Sequence, residues 1–146
     1  PSKLLPNRCT FGTEFSCVDY QIKYTSATDQ QFKIKLKNNA GETINLVDKD
    51  GVGALLDSTV TLSKDDGTLL AACPAAPIPA GTVCCDPPNV ITDWSNAQAK
   101  DVAWACQNVG WIAGEKVRLL VNFFYYSGDA AYTKQVKGEV FTTVVS

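Results

Sequence analysis

Histidine and methionine are both absent from this chain of 146 residues. Without histidine, the usual base for a serine or cysteine nucleophile is missing, and so is the commonest nitrogen ligand of zinc. No run of eighteen apolar residues occurs, so no segment reads as a membrane-spanning helix. The apolar run from Val117 to Tyr126 is short, contains Arg118 and Asn122, and reads as a buried strand. No N-x-S/T sequon is present. The sequence also lacks G-x-S-x-G, a phosphate-cradling glycine loop and a dinucleotide fingerprint. Neither an enzyme nor a cofactor is expected. Thirteen basic side chains stand against fifteen acidic ones, for a net charge of −2. Nucleic acid needs a clustered basic surface, so it is not an expected partner.

What the chain does have is six cysteines: Cys9, Cys17, Cys73, Cys84, Cys85 and Cys106. No C-x-x-C pair occurs, which argues against a zinc site. An even number without metal spacing points to three disulfides and an oxidising, extracellular or cell-surface location. Adjacent residues of an extended segment point to opposite faces, so Cys84 and Cys85 should have different partners. Val83 shares a side with Cys85 and is apolar, which turns Cys85 toward the core. Cys106 shares a face with Val102 and Trp104. The expected pairs are therefore Cys85–Cys106, Cys73–Cys84 across a proline-rich loop, and Cys9–Cys17. A vicinal Cys84–Cys85 bond is the strained alternative.

Period-two alternation dominates the rest. Phe32, Ile34 and Leu36 alternate with Lys33, Lys35 and Lys37, whose bland reading is one solvated strand face. Ile44 and Leu46, Val60 and Leu62, and Val102, Trp104 and Cys106 form further faces. So do Val117, Leu119, Val121, Phe123 and Tyr125, and Val136, Val140 and Val144. Turn signals separate these runs: 38–42, Asp65-Asp66-Gly67 and Ser127-Gly128-Asp129. Only Trp94 to Lys100 offers a short helical turn. The proline-rich stretch from Pro74 to Pro88 cannot be a central strand and reads as a tethered surface loop. The predicted fold is all-β: an antiparallel two-sheet immunoglobulin-like sandwich stapled by disulfides, one domain over 1–146. Residues 1–8 are expected to be the remnant of a connection to a removed N-terminal segment.

Candidate binding residues are few. Asp48-Lys49-Asp50-Gly51-Val52-Gly53 has acids at positions one and three of an EF-hand loop, but Val52 and Thr59 fall at positions five and twelve. A glycine-rich turn is the plainer reading; calcium on Asp48, Asp50 and Asp57 is the alternative. Trp94 and Trp111 lie near turns and are candidates for surface contact or sugar stacking. Tyr125, Tyr126 and Tyr132, near the last hairpin, are candidates for exposed contact, though tyrosine also suits strands. Trp104 carries the core pattern and is expected to pack.

The segment Lys35-Leu36-Lys37-Asn38-Asn39-Ala40-Gly41-Glu42-Thr43-Ile44 resembles the L-x-N-x-x-G-E-x-I strand–turn–strand of archaeal type IV pilin head domains. Gly114-Glu115-Lys116-Val117 leading to Tyr125-Tyr126, then Gly138-Glu139-Val140, is similar to the closing hairpin of that family. The stretch from Pro6 to Asp19, with Cys9 and Cys17, is like the start of its cysteine-containing heads. The resemblance touches about half the chain. It implies an immunoglobulin-like head following a hydrophobic helix, and copies of the same subunit as partners in a filament serving surface display or adhesion. A secreted or surface-anchored module binding a receptor, glycan or protein is the alternative. The head alone is expected to be a monomer without catalytic activity.

Overall fold

The computed structural model describes residues 6–46, 60–75, 77–86, 91–127 and 134–146. Among these the chain is all-β. The strands are β1 (Arg8–Thr10), β2 (Phe15–Ser26), β3 (Asp29–Asn38), β4 (Ile44–Leu46) and β5 (Val60–Lys64). They continue with β6 (Cys84–Asp86), β7 (Ile91–Trp94), β8 (Ala99–Gln107), β9 (Lys116–Ser127) and β10 (Lys134–Val145). Among the described residues no helix is long and apolar enough to cross a membrane. The alternating positions behave as period two requires. Phe32, Ile34 and Leu36 are buried while Lys33, Lys35 and Lys37 are exposed. Val102, Trp104 and Cys106 are buried, as are Leu119, Val121, Phe123, Tyr125, Val136, Val140 and Val144.

The strands do not form two separate antiparallel sheets. They follow one hydrogen-bonded path, β6-β8-β3-β2-β10-β9-β4-β7, with β1 added to β10 and β5 to β9. The joint is parallel: Val144 and Val145 of β10 face Ile22 and Lys23 of β2. The purely antiparallel expectation is corrected by this pair. Its two partners lie near opposite ends of the chain and carry no local pattern. On the opposite side, residues 69–73 nearly close the path into a barrel. Leu70 N–H donates to Leu62 O on β5 (2.8 Å), and Cys85 N–H of β6 donates to Ala71 O (2.8 Å). Cys73 N–H donates to Asp86 Oδ1 at 3.0 Å.

The interior is aromatic at one end. Phe11 stacks on Phe123 with centroids 5.5 Å apart, and Phe15 lies 5.3–5.9 Å from Trp94, Phe123 and Tyr125. Both phenylalanines sit in or beside the short connection from β1 to β2, and both are buried. Each such burial contributes about 1.5–3 kcal/mol. Phe11 fits only because β10 carries glycine where the ring lands. A Cβ at Gly138 would come within 2.1 Å of two Phe11 ring carbons.

Three disulfides are present, Cys9–Cys17, Cys73–Cys84 and Cys85–Cys106, with Cα separations of 5.9, 5.0 and 3.9 Å. No cysteine is free. The pairing is the expected one, but part of its rationale fails. Val83 is 53% exposed, and Cys84 is buried like Cys85. The cross-strand register settles the partner instead, since Cys85 stands directly opposite Cys106.

Two turns are hydrogen-bonded to each other beside Trp94. In the first, Asn38 is fully buried and ties down the connection from β3 to β4. Its amide donates to Glu42 O and Trp94 O, both at 2.9 Å, and its Oδ1 accepts from Ala40 N–H at 2.8 Å. Gly41 sits at φ +87°, where a side chain is disfavoured. The second, after Trp94, is a turn and not a helical one. Ala97 has φ 70°, and Ala97 N–H reaches across to Asn38 O at 2.7 Å. A left-handed residue there stops a helix before its first repeat.

Candidate functional site

The most organised surface chemistry lies on the outward face of β1, β9 and β10. β10 alternates there, so Phe141 points out between buried Val140 and Thr142. Register places Arg8 of β1 on one flank of Phe141 and Arg118 of β9 on the other. Thr143 faces Lys116, one step up the same face. The result is three cations on one ring: Arg8 Cζ, Lys116 Nζ and Arg118 Cζ lie 5.5, 5.4 and 5.6 Å from the Phe141 centroid.

Carboxylates partly offset these charges. Glu139 forms an ion pair with Arg8 Nε and lies 3.7 Å from Arg118 Nε. Asp65 accepts from an Arg118 guanidinium nitrogen at 3.3 Å. The 3.7 Å contact is too long for a hydrogen bond, which leaves Arg118 Nε buried without one. The charged side chains here are 29–64% exposed, so each pair is worth at most about 1 kcal/mol, and each cation–ring contact about 0.5–1 kcal/mol. Lys116 also donates to Asn7 Oδ1 at 2.9 Å. The cluster offers planar donors and an aromatic edge, suited to contact with a protein or another anionic surface. It offers no nucleophile paired with a base.

A second feature lies on the outward face of β2, β3 and β8. A groove of about 200 Å³ is lined by Asp19, Tyr20, Gln21, Lys33, Lys35 and Asp101. Register sets Lys35 between Asp19 and Asp101. The ladder shifts register between Cys17 and Asp19, and Val18 beside it is 56% exposed.

The tryptophans expected at the surface are in the core. Trp94 is fully buried, and Trp111 is 5% exposed. Trp94 Nε1–H donates to Gln98 O at 2.6 Å, so the turn that suggested exposure instead satisfies the indole and lets it sink inward. Neither ring can stack on a sugar. Tyr125, expected at the surface, is buried too. Tyr126 pairs through its backbone with Asn45, while its side chain, Tyr132, and Asp48, Asp50 and Asp57 lie outside the described residues. Among the described residues no three metal-ligating side chains come together. Sequence reading missed the Phe141 cluster because its cations and its ring come from three strands distant in sequence, β1, β9 and β10. The spacing Lys116-x-Arg118 and Glu139-x-Phe141 on adjoining strands was the one local hint.

Among the described residues, two groups titrate away from their ordinary values. Burial pushes the Tyr125 phenol up, with the charges of Glu14 and Glu42 adding to it. Hydrogen bonds from Thr68 hold Asp66 below the usual carboxylate value, in the turn where Thr68 N–H reaches Asp66 Oδ1 at 2.9 Å. Comparison with protein-family models, with curated proteins and with solved structures finds no match to this chain.

Proposed function

We propose that this chain is the exposed head domain of an archaeal type IV pilin-like filament subunit. It is a non-enzymatic, immunoglobulin-like sandwich displayed outside the cell. The observation that carries the reading is the turn around Asn38. The positions of the resemblance are those that the turn uses. Leu36 and Ile44 are fully buried, the Asn38 side chain makes two hydrogen bonds within the turn and a third to Trp94 O, and Gly41 supplies the positive φ. Glu42 is solvent-facing and 3.8 Å from Lys134 across the end of the sheet. The strand order supports the immunoglobulin-like part. Strands β2, β3, β8 and β6 follow one another as A, B, E and D do in that fold, while β5, β9 and β10 follow as C, F and G. Three disulfides are consistent with an oxidising location.

Antibodies against this chain, applied as immunogold label to intact cells of its source, test the reading. Label spaced along surface filaments is the expected result. Label found only on released, unassembled protein would overturn it. That outcome would favour the second reading, a binding module for a glycan or protein, for which the Phe141 cluster is the supporting feature.

A further inference from the structure

We infer that the Cys9–Cys17 disulfide is a mechanical bypass. It passes tension arriving through residues 6–8 straight into β2 and leaves the loop holding Phe11 and Phe15 slack. The inference rests on the pilin-like reading, in which the head is held through its N-terminal side.

The residues just before Cys9 are fastened to the sheet. Asn7 accepts from Lys116 at 2.9 Å, Arg8 is ion-paired with Glu139 and stands over Phe141, and Arg8 to Thr10 pair with β10. Pull on this segment reaches Cys9 next. Two covalent routes lead onward from there. One runs along the backbone through Thr10 and Phe11. The other crosses the disulfide to Cys17, a Cα separation of 5.9 Å.

The backbone route would draw Phe11 directly off Gly138 and Phe123, then Phe15 off Trp94 and Tyr125. Those rings plug one end of the core, so peeling them would open it. The disulfide is the shorter route, and it fixes the distance between its ends, so the loop cannot be drawn taut. Beyond Cys17 the pull is shared by two ladders. β2 pairs antiparallel with β3 from Phe15 to Ser26, and parallel with β10 at Ile22 and Lys23. A long ladder spreads tension over many hydrogen bonds, whereas a peeling loop loses its contacts one at a time.

Single-molecule stretching of the whole chain, with handles before Pro1 and after Ser146, tests this. The intact protein should rupture without an early low-force step. Cys9→Ser with Cys17→Ser should add an early step of roughly 20 Å as the chain between positions 9 and 17, whose Cα atoms start 5.9 Å apart, straightens at about 3.3–3.6 Å per residue, and should rupture at lower force. Rupture at the wild-type force with no early step would overturn the inference. A second protein distinguishes loop straightening from misfolding: ten glycine and serine residues inserted after Gly12 in the serine double variant should lengthen the early step by about 35 Å. An early step of unchanged length would place the yielding segment outside this loop and overturn the inference. Failure of the cell-surface labelling would remove the tethered reading and leave these stretching results as they stand.

Discussion

The loops closed by Cys9–Cys17 and by Cys73–Cys84 are close in size, with sequence separations of 8 and 11. Their contents are opposite. The first delivers Phe11 and Phe15 into the core. The second holds exposed Pro74, Pro77 and Pro79 and the exposed Val83, and lies over the outside of the molecule. A bond's effect on the unfolded chain depends on loop length, which is nearly matched here. Its effect on the folded state depends on what the loop carries. The pair therefore separates these two contributions within one protein.

The largest expected effect comes from emptying the first loop. Phe11→Ala should destabilise by about 3–5 kcal/mol, read as a fall in urea midpoint at unchanged slope. Gly138→Ala should cost about 1–3 kcal/mol, because its Cβ meets the Phe11 ring at 2.1 Å. In the Phe11→Ala background the same substitution should cost almost nothing. Additive costs in that cycle would mean that the two residues do not touch, and the contrast between the loops would lose its basis.

Removing each disulfide is the next test. Loop entropy alone predicts about 2.5–3 kcal/mol for either bond. Cys9→Ser with Cys17→Ser should exceed that figure, since the phenylalanine loop loosens with the bond. Cys73→Ser with Cys84→Ser should not exceed it. Equal losses in thermal or urea unfolding would show that loop content is irrelevant.

The smallest effect is a pH dependence confined to the first region. Tyr125 touches Phe15, with ring centroids 5.4 Å apart, and its phenol is held neutral above the ordinary value of 10.0. The folded protein keeps a proton that the unfolded chain releases. Stability from this source is complete below pH 10 and is lost as pH rises from there through the raised folded value. Tyr125→Phe should flatten the fall in urea midpoint between pH 9 and pH 11, relative to wild type. An unchanged slope would remove Tyr125 from the account.

Most strand faces were legible because a period of two leaves little freedom. Phe32, Ile34 and Leu36 have one way to face inward together. The disulfide pairing was legible too, though by way of Val83, which is exposed in the fold. Trp94 is misread from sequence because nearness to a turn says nothing about which way a ring points. Here the turn itself supplies the carbonyl that makes burial of the indole affordable. The parallel joint of β2 with β10 and the closing segment 69–73 had no local signature. Each rests on a few hydrogen bonds between distant parts of the chain. The Phe141 cluster was illegible for the same reason.

The glycine beneath Phe11 also bears on the order of assembly. Cys9 and Cys17 leave the synthesis machinery well before Gly138, which follows Phe11 by more than a hundred residues. Phe11 therefore has no socket until β10 has been made. Contacts of such long sequence separation slow folding, because chain closure must precede the reward. During that wait an early Cys9–Cys17 bond holds the apolar loop in a small ring. It thereby limits the reach of an exposed phenylalanine toward neighbouring chains until β10 arrives.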